Sequence, residues 1–468
     1  MGKEFFILMK PELGLMLIIF FLLVLKIWDS IKEKSTLLTI INFVLLLNLA
    51  AGFCCNEDGT LFSGMYHTNS IIALEKSILA FGTLLISLMA WDWLKKHEHM
   101  LEFYILLLST LLGMNFMISS GNFMMLYLGL ELATIPLAAL ANFDLDKLKS
   151  SEAALKMILS SAFASCILLF GISMLYGTTG TLLFSEMPAY LDGGMLQMLA
   201  FIFVFIGFAF KLSVVPFHFW TADVYEGSPV AVTSYLSVIS KGAIVFVFTT
   251  TLLNLFGTLG TTWYHMLVIS IVMTITVGNL FAMRQDNIKR FLAFSSITQV
   301  GYILLGLTHG GNAGTTASIY FLIVYIFSNL AAFGIVSMVS VQTGKENISD
   351  FNGFYKNNPV SGWVMALAMF SLAGIPPTAG FFGKMFLVTA GASKGNYLLV
   401  AFAALNMVVS LFYYLRVVKA IFINKNENPM ETIRSSTPVK LALGVCMLGV
   451  IATGFYSGIY DYIVSMLK

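Results

Sequence analysis

The stretch GFAFKLSVVPFHFW, residues 207–220, places a lysine and a proline inside one long apolar run. Lys211 lies five residues ahead of Pro216. A charged side chain at the centre of a membrane helix costs about 2.5–3.5 kcal/mol on insertion scales. Proline in a helix interior removes a hydrogen bond and kinks the chain. Because both features are costly for stability, their closeness predicts a functional site in this stretch.

The composition of the chain indicates in which class of protein this stretch lies. Of the 468 residues, 58% are hydrophobic and 11% are charged, and the mean hydropathy is +0.87. Apolar runs long enough to cross a hydrocarbon core of about 30 Å recur from end to end. The short alternating segments of a transmembrane β-barrel are absent. The sequence therefore predicts an all-α polytopic membrane protein, and its net charge of +2 argues against nucleic acid as a partner.

The apolar runs divide into fourteen predicted spans, at residues 12–29, 36–53, 70–94, 100–118, 122–141, 152–177, 196–225, 229–255, 264–283, 288–308, 315–342, 359–392, 396–423 and 438–463. The lysine- and arginine-bearing loops all follow odd-numbered spans. The positive-inside rule places such loops in the cytoplasm. We therefore expect both termini on the outer side of the membrane.

The sequence contains no polar stretch long enough to form a soluble domain. Its longest polar stretches, residues 342–358 and 424–440, are too short to fold alone. No Cys/His spacing resembles a metal site. We therefore expect no flavin, nucleotide, iron–sulfur cluster or other cofactor in this chain, and any redox chemistry must belong to a partner.

Four ionisable side chains lie deep inside predicted spans: Glu131, Lys211, Lys241 and Lys384. A buried ion pair that pins two helices together is the plain alternative to function, and Glu131 with Lys211 can form one. Lys241 and Lys384 have no obvious acidic partner at depth. Because burial disfavours the charged form, an unpaired buried lysine can accept and release a proton. These residues predict proton transfer.

A second helix break supports this interpretation. The segment GIPPTAG, residues 374–380, precedes Lys384. Irregular backbone at membrane depth is tolerated where it is buried in protein or lines a hydrated cavity. Two breaks with lysines nearby are typical of transporters built from inverted repeats. We predict one membrane domain with N-terminal helices in 1–99, repeats in 100–258 and 259–425, and a C-terminal helix in 426–468.

Other polar residues give weaker signals. His218 is either a relay group or a polar side chain satisfied at the break, and Lys156 is either an accessory to proton transfer or half of an ordinary pair with Glu152. The remaining acids and lysines near span ends are interpreted as helix-end, packing or snorkelling residues: Glu75, Lys76, Asp223 and Glu226.

Five stretches carry a resemblance to a known family: LGLELATIPLAAL (128–140), SSEAALKMILSSAFASCILLFGISMLYGTTGT (150–181), AFKLSVVPFHFWTADVYEGSPVAVTSYLSVISKGA (209–243), NIKRFLAFSSITQVGYILLGL (287–307) and LAGIPPTAGFFGKMFL (372–387). They resemble the antiporter-like membrane subunits of respiratory complex I, the NADH-quinone oxidoreductase, over about residues 100–425. The resemblance implies fourteen helices with helices 7 and 12 broken. It also implies that Glu131 pairs with Lys211, that a hydrated axis reaches Lys241 and Lys384, and that Lys156 is accessory.

The function implied by the resemblance is outward proton translocation through this chain, as part of an enzyme whose redox site lies elsewhere. NADH, FMN, iron–sulfur clusters and quinone are then expected in partner subunits. The expected partners are the sister antiporter-like subunits, the small membrane subunits that link to the quinone-reducing arm, and the lipid bilayer. The expected location is a bacterial inner membrane with both termini on the periplasmic side.

Two other functions remain open from the sequence. The resemblance implies that a multisubunit cation/proton antiporter shares the fold and the Glu/Lys pair, and it also leaves the cyanobacterial and chloroplast relatives open. A purely structural membrane subunit would keep the same residues as ion pairs. Tolerance of Lys211→Ala and Glu131→Ala would indicate the structural role, whereas cation-dependent dissipation of a pH gradient would indicate the antiporter.

Overall fold

The computed structural model describes residues 3–28, 33–54, 57–393, 395–456 and 458–467. In these ranges the helices are α1 Lys3–Leu8, α2 Lys10–Trp28, α3 Lys34–Phe53, α4 Ser70–Met89, α5 Trp91–Leu94, α6 Met100–Ile118, α7 Phe123–Ala141, α8 Leu148–Thr179, α9 Met195–Leu212, α10 Phe219–Gly227, α11 Val230–Tyr235, α12 Lys241–Leu255, α13 Gly260–Ala282, α14 Ile288–Leu307, α15 Asn312–Thr343, α16 Pro359–Ala373, α17 Ala379–Ala392, α18 Tyr397–Phe422, α19 Thr437–Phe455 and α20 Gly458–Met466. The strands are β1 Gly59–Leu61 and β2 Tyr66–Thr68, and a single π-helical turn, Leu236–Ser240, joins α11 to α12.

The all-α membrane architecture predicted from the sequence is confirmed. Among the described residues, 13 helical stretches are long and apolar enough to cross a membrane. The predicted twelfth span is instead occupied by α16 and α17, two shorter apolar helices separated at the GIPPTAG segment. The last span, predicted at 438–463, is shorter in the structure: α19 ends at Phe455, and the short helix α20 follows it. The count of fourteen spans stays a prediction.

Several of the helices have an asparagine as their N-cap residue. The side-chain oxygens of Asn69, Asn122, Asn287 and Asn396 each accept a hydrogen bond from a backbone N–H in the first turn of the following helix. Such N-caps satisfy donors that a helix start leaves free. Inside the membrane region, Gly113 of α6 and Gly129 of α7 bring the two helix backbones into direct contact, because a Cβ on either glycine would clash with the facing backbone.

The loops at the two ends of the bundle form two distinct faces. The basic face comprises the loops 90–99, 142–147, 283–287, 344–358 and 423–436, which contact one another through pairs such as Asn287 with Asn347 and Ser436 with Asp92. The hairpin face carries the antiparallel β1–β2 hairpin, which meets the α6–α7 turn at Ser120. The bundle thus separates the lysine- and arginine-bearing loops from the hairpin.

The core of the bundle is built from α12, α14 and α15. Of the membrane-length helices described, α14 and α15 are the most enclosed and α2 and α18 are the most exposed. Helix α14 contacts α10, α13, α15 and α17, so it touches elements that follow both breaks in the chain. Side chains on α14 are therefore placed to connect the two breaks.

The two breaks share one backbone pattern. Helix α9 ends at Ser213, whose φ of 64° is left-handed, and Val214 N–H donates to Ala209 O at 2.8 Å. Helix α16 ends at Gly374, whose φ is 85°, and Ile375 N–H donates to Phe370 O at 3.0 Å. This is the Schellman arrangement that closes many helices. In both places a cis prolyl bond follows, before Pro216 and before Pro377.

Candidate functional site

Lys211 is held by a threonine of the neighbouring helix. It lies in the last turn of α9, and its Nζ donates to Thr134 Oγ1 of α7 at 2.7 Å. Thr134 in turn donates to the carbonyl oxygen of Leu130 at 2.6 Å, so its hydroxyl is free to accept from the ammonium group. Sequence reasoning missed Thr134, although it stands three residues after Glu131 in the quoted stretch LGLELATIPLAAL.

Glu131 lies one helical turn from Thr134 on the same helix, and its Oε1 is buried without a hydrogen-bond partner. The described residues contain no contact of 4.0 Å or less between its carboxylate and the Lys211 ammonium. The two charges nevertheless interact electrostatically. The pairing that the resemblance implies is therefore an indirect one in this structure, with Thr134 as the direct partner of the lysine.

Lys241 is buried at the start of α12, directly after the π-helical turn, with 3% of its surface exposed. Its Nζ donates to Ser296 Oγ of α14 at 2.8 Å and lies 5.6 Å from the centre of the Tyr225 ring. Cation–π contact stabilises a buried ammonium group. The described part of the chain offers Lys241 no carboxylate at ion-pair distance. A π-helical turn is common at functional sites.

Lys384 forms hydrogen bonds across the second helix break. It is 2% exposed in α17, and its Nζ donates to the backbone oxygens of Leu372 at 2.7 Å and Ala373 at 3.2 Å. These are the last carbonyls of α16, where the helix dipole is negative and favours a cation. Its ammonium group also lies 5.1 Å from the centre of the Tyr302 ring. A side chain also binds a helix-end carbonyl at the first break, where Trp220 Nε1 donates to Phe210 O in the last turn of α9 at 3.1 Å.

Helix α14 connects Lys241 to Lys384. Ser296 binds Lys241, and Gln299 stands one turn further along the same helix. Gln299 Nε2 donates to the Leu372 carbonyl at 3.1 Å, the same oxygen that accepts from Lys384. Both α14 residues belong to the run SSITQ, residues 295–299, which is polar within an otherwise largely apolar helix.

His218 lies between the first two lysines along the chain. It is buried at the start of α10, packs against Phe219 with ring centres 4.5 Å apart and ring planes tilted by 31°, and interacts electrostatically with Lys241. Its Nδ1 is buried and has no hydrogen-bond partner. The structure thus brings His218 to the lysine row, which we define as Lys211, His218, Lys241, Ser296, Gln299 and Lys384.

Several buried polar atoms along the lysine row lack a protein partner. They are Glu131 Oε1, His218 Nδ1, Tyr225 Oη, Gln299 Oε1, Tyr302 Oη and Asn329 Oδ1. Buried polar atoms are almost always hydrogen-bonded, to protein or to ordered water. Amines, phenols, hydroxyls and water within hydrogen-bond reach can each accept and release a proton. This arrangement is therefore chemically suited to carry protons through the core.

Lys156 lies away from the lysine row, in an ion-pair network on the basic face. Its Nζ contacts Asp223 and Glu152, each at 2.6 Å. Arg290 of α14 then contacts Asp223 at 2.7 Å and Glu226 at 2.9 Å. The network is completed by Lys149, which contacts Glu226 at 2.8 Å. Sequence reasoning paired Lys156 with Glu152 and missed Arg290, because Arg290 comes from a distant part of the chain.

A cavity of about 420 Å³ opens beside this network on the basic face. Its lining includes Glu226, Ser228, Lys289 and Glu346. Lys289 is buried, donates to Ser228 O at 3.2 Å and contacts Glu346 at 3.1 Å. Ser228 Oγ is buried without a partner. The cavity therefore reaches the segment between α10 and α11, which leads along the chain to Lys241.

The comparisons with known proteins now identify the family. The family model described as NADH:quinone oxidoreductase/Mrp antiporter, transmembrane, matches residues 120–410. The chain belongs to this family. It is 48% identical over 457 residues to NADH-quinone oxidoreductase subunit N of Phocaeicola vulgatus, with 97% of each chain covered.

Solved structures of the NADH:quinone oxidoreductase/Mrp antiporter family share the fold. A chain of respiratory complex I from Thermus thermophilus matches with a TM-score of 0.81 and 27% identity, covering 96% of this chain and 97% of that one. A chain of the Mrp complex from a Dietzia species matches with a TM-score of 0.84, covering 98% and 99%. At 20% identity the second likeness shows the fold alone.

From the resemblance, we expect lysine at both 241 and 384 in the subunit type called N rather than in its sister types L and M. The names of full-length relatives agree with that prediction, because the relatives in Phocaeicola vulgatus and Rhodospirillum rubrum are both called subunit N.

Among the described residues, no group of three or more His, Cys, Asp or Glu side chains is arranged to hold a metal ion.

Proposed function

We propose that this chain is a proton-translocating membrane subunit of an NADH-quinone oxidoreductase. The observation that carries the proposal is the lysine row, in which hydroxyl and carbonyl groups accept hydrogen bonds from three deeply placed lysines and no carboxylate contacts them within the described residues. Structural ion pairs would instead satisfy each ammonium with a nearby acid. The name of the relatives in other bacteria supports the identity of the complex.

Protons would move along the row through side chains and water. The unpartnered atoms Tyr225 Oη, Gln299 Oε1 and Tyr302 Oη supply hydrogen-bonding positions beside Lys241 and Lys384. Ordered water at such positions satisfies the buried polar groups and completes a transfer path. We propose that the proton passes through Lys241 and leaves toward the outside near Lys384.

Glu131 would act as the switch of the row. When its carboxylate is close to Lys211 it stabilises the ammonium form, and Thr134 holds the lysine when the two are apart. Loss of the carboxylate charge then drives the lysine proton along the row. Each proton moved outward works against about 2.3 kcal/mol per 100 mV of membrane potential. Redox chemistry in partner subunits, where NADH, FMN, iron–sulfur clusters and quinone would reside, must supply this energy.

Proton uptake would begin at the basic face. The cavity lined by Glu226, Lys289 and Glu346 gives a polar route toward the start of α11. By the positive-inside rule the basic face is cytoplasmic, which puts both termini on the periplasmic side of a bacterial inner membrane. The ion-pair network around Lys156 borders this route and makes it an accessory residue of uptake.

The two breaks support an origin in two inverted repeats, 100–258 and 259–425. Each break combines a left-handed helix end with a proline in the same register, while the two broken helices run in opposite directions through the bundle. Sister subunits of the same architecture and the small membrane subunits that link to the quinone-reducing arm are the proposed partners.

A cation/proton antiporter is the second candidate function. It is favoured by the family description, which joins the two groups, and by the shared fold of the Mrp chain. An antiporter would exchange Na⁺ or K⁺ for protons without NADH. Dissipation of an imposed pH gradient by added Na⁺ or K⁺, in vesicles that contain the purified complex, would indicate this function.

The proposal is tested by proton uptake driven by NADH in inverted membrane vesicles. We expect Lys211→Ala and Lys241→Ala to lower the number of protons taken up per NADH, because each removes a group that must bind the proton. Lys345→Ala is the matched control, since Lys345 lies in a loop of the basic face and is exposed. Assembly of the complex is confirmed first on native gels.

The outcomes separate function from structure. Reduced uptake in both variants with normal uptake in Lys345→Ala supports the lysine row. Wild-type uptake and turnover in both assembled variants would overturn the proposal and leave the lysines as structural residues.

A further inference from the structure

Glu75 is a buried acid that the mechanism above does not use. It lies in the second turn of α4 and is 3% exposed. Within the described ranges its carboxylate makes no hydrogen bond and no ion pair. The next residue behaves differently: Lys76 contacts Glu12 at 2.6 Å and donates to Tyr66 Oη at 3.0 Å. Glu75 therefore takes no part in the buried ion pair beside it.

The position of Glu75 on α4 directs it toward the core. Residues four and seven positions apart share a helix face, so Glu75 shares its face with Leu79 and Gly82. A Cβ built on Gly242 of α12 would lie 3.5 Å from Leu79 Cδ2. Gly82 lies against Ile239 of the π-helical turn. This face of α4 thus packs against the segment that carries Lys241.

Helix α15 supplies a second unpartnered group at the same level. Leu322 Cδ2 would lie 3.8 Å from a Cβ on Gly242, so Leu322 and Leu79 meet at that glycine. One turn toward the hairpin face, about 5.4 Å, stand Glu75 on α4 and Ser318 on α15. Ser318 Oγ is buried and has no hydrogen-bond partner. An acid and a hydroxyl, neither of which has a hydrogen-bond partner among the described residues, therefore lie one helical turn toward the hairpin face from the contacts of Gly242, the residue after Lys241.

An isolated carboxylate in an apolar interior is costly, so such a group is held neutral by a proton or is satisfied by water or a cation. We propose that Glu75 is a second proton-outlet residue, besides the exit near Lys384, which accepts a proton from the Lys241 side of the lysine row and passes it toward the hairpin face with Ser318 and water. This inference rests on the proposed function. It assigns a role in proton release to the N-terminal helices, which lie outside both proposed repeats.

The test compares Glu75→Gln, Glu75→Asp and Lys241→Ala in the assembled complex, by protons taken up per NADH in inverted vesicles. Glutamine keeps the shape of the side chain and removes its titration, so we expect Glu75→Gln to lower uptake, but by less than Lys241→Ala does, because the exit near Lys384 remains. Glu75→Asp keeps a titrating carboxyl group and restores uptake toward wild type. A merely structural Glu75 would not distinguish the two variants in this way.

Three outcomes separate the inference from the proposed function. Loss in both Glu75→Gln and Lys241→Ala supports the outlet. Wild-type uptake in Glu75→Gln with loss in Lys241→Ala overturns the outlet and leaves the lysine row intact. Wild-type uptake in both overturns the proposed function, and the outlet with it.

A labelling experiment covers the case in which the glutamine variant does not assemble. Dicyclohexylcarbodiimide adds to protonated carboxyl groups in apolar surroundings, and mass spectrometry locates the adduct in the wild-type complex. Labelling at Glu75, without labelling of the paired Glu12, supports an outlet that carries a proton. An unlabelled Glu75 under conditions that inhibit proton uptake overturns it.

Discussion

Three ammonium groups at membrane depth are held here in three different ways. Lys211 donates to a threonine hydroxyl, Lys241 donates to a serine hydroxyl and faces a phenol ring, and Lys384 donates to the end of a helix. Neutral acceptors stabilise an ammonium group less than a carboxylate does, because no opposite charge is present. The contacts therefore position each lysine without fixing its charge.

Thr134 offers the sharpest test at the scale of one residue. Thr134→Val keeps the shape of the side chain and removes the acceptor of Lys211. Leaving a buried donor unsatisfied costs about 1–3 kcal/mol, so we expect the lysine to move toward Glu131 and proton uptake per NADH to fall while assembly persists. The measurement is uptake in inverted vesicles.

Thr453→Val is the control for this change, since Thr453 is also buried and donates to a carbonyl four residues earlier without meeting a lysine. Equal uptake in the two valine variants would contradict a role for Thr134 beyond helix packing.

At the scale of elements, the broken helices explain why each lysine lies where it does. The break after α16 frees the carbonyls of Leu372 and Ala373, and the Lys384 side chain returns from α17 to satisfy them. Irregular backbone is tolerated at this depth because protein groups take up the freed hydrogen bonds. The break and the lysine are therefore one structural unit.

Substitution of Gly374 tests whether the helix break and Lys384 depend on each other. Its φ is 85°, and a Cβ there would lie 3.1 Å from Lys384 Cδ. We expect Gly374→Ala to destabilise the protein by about 1–2 kcal/mol through its left-handed backbone, and also to displace Lys384 and lower proton uptake. The measurements are the temperature at which the assembled complex loses activity and the protons taken up per NADH.

Gly344→Ala provides the comparison, because Gly344 ends α15 with a φ of 69° and its Cβ would meet nothing within 4 Å. We expect a similar loss of stability there with normal uptake per NADH. A fall in uptake in both alanine variants would point to general destabilisation instead of displacement of Lys384.

At the scale of the whole molecule, the ion-pair network on the basic face ties distant parts of the chain together. Arg290 of α14 contacts Asp223 and Glu226 of α10, which in turn contact Lys156 and Lys149 of α8. Partly buried, bridging contacts of this kind are stronger than isolated surface pairs, most of which contribute 1 kcal/mol or less. The network therefore holds the second half of the first broken helix against its neighbours.

Arg290→Gln should weaken this attachment. We expect a loss of stability of about 1–3 kcal/mol, because two carboxylates lose a charged hydrogen-bond donor. The check is the temperature at which the complex dissociates in detergent, compared with that of Lys147→Gln. Among the described residues, the exposed Lys147 side chain forms one ion pair, with Asp144, so its loss should have little effect, and equal shifts in the two variants would refute the special role of the network.

The sequence by itself determined the membrane class, the helix breaks and the residues at depth. Hydropathy, proline and lysine act locally along the chain, so the runs around Lys211 and GIPPTAG predicted where charges and breaks would meet. The positions of Glu131, Lys241 and Lys384 inside their helices followed from the same counting.

Only the tertiary structure decided what each charge contacts. Thr134 is 77 residues from Lys211 and Ser296 is 55 residues from Lys241, and local pattern carries no information about which helix faces which. The direct partner of Lys211 is thus a threonine, where the resemblance implied a glutamate. The isolation of Glu75 beside a fully paired Lys76 depends on the packing of α4 against α2, α12 and α15, because side chains from several helices together decide whether a buried acid is satisfied.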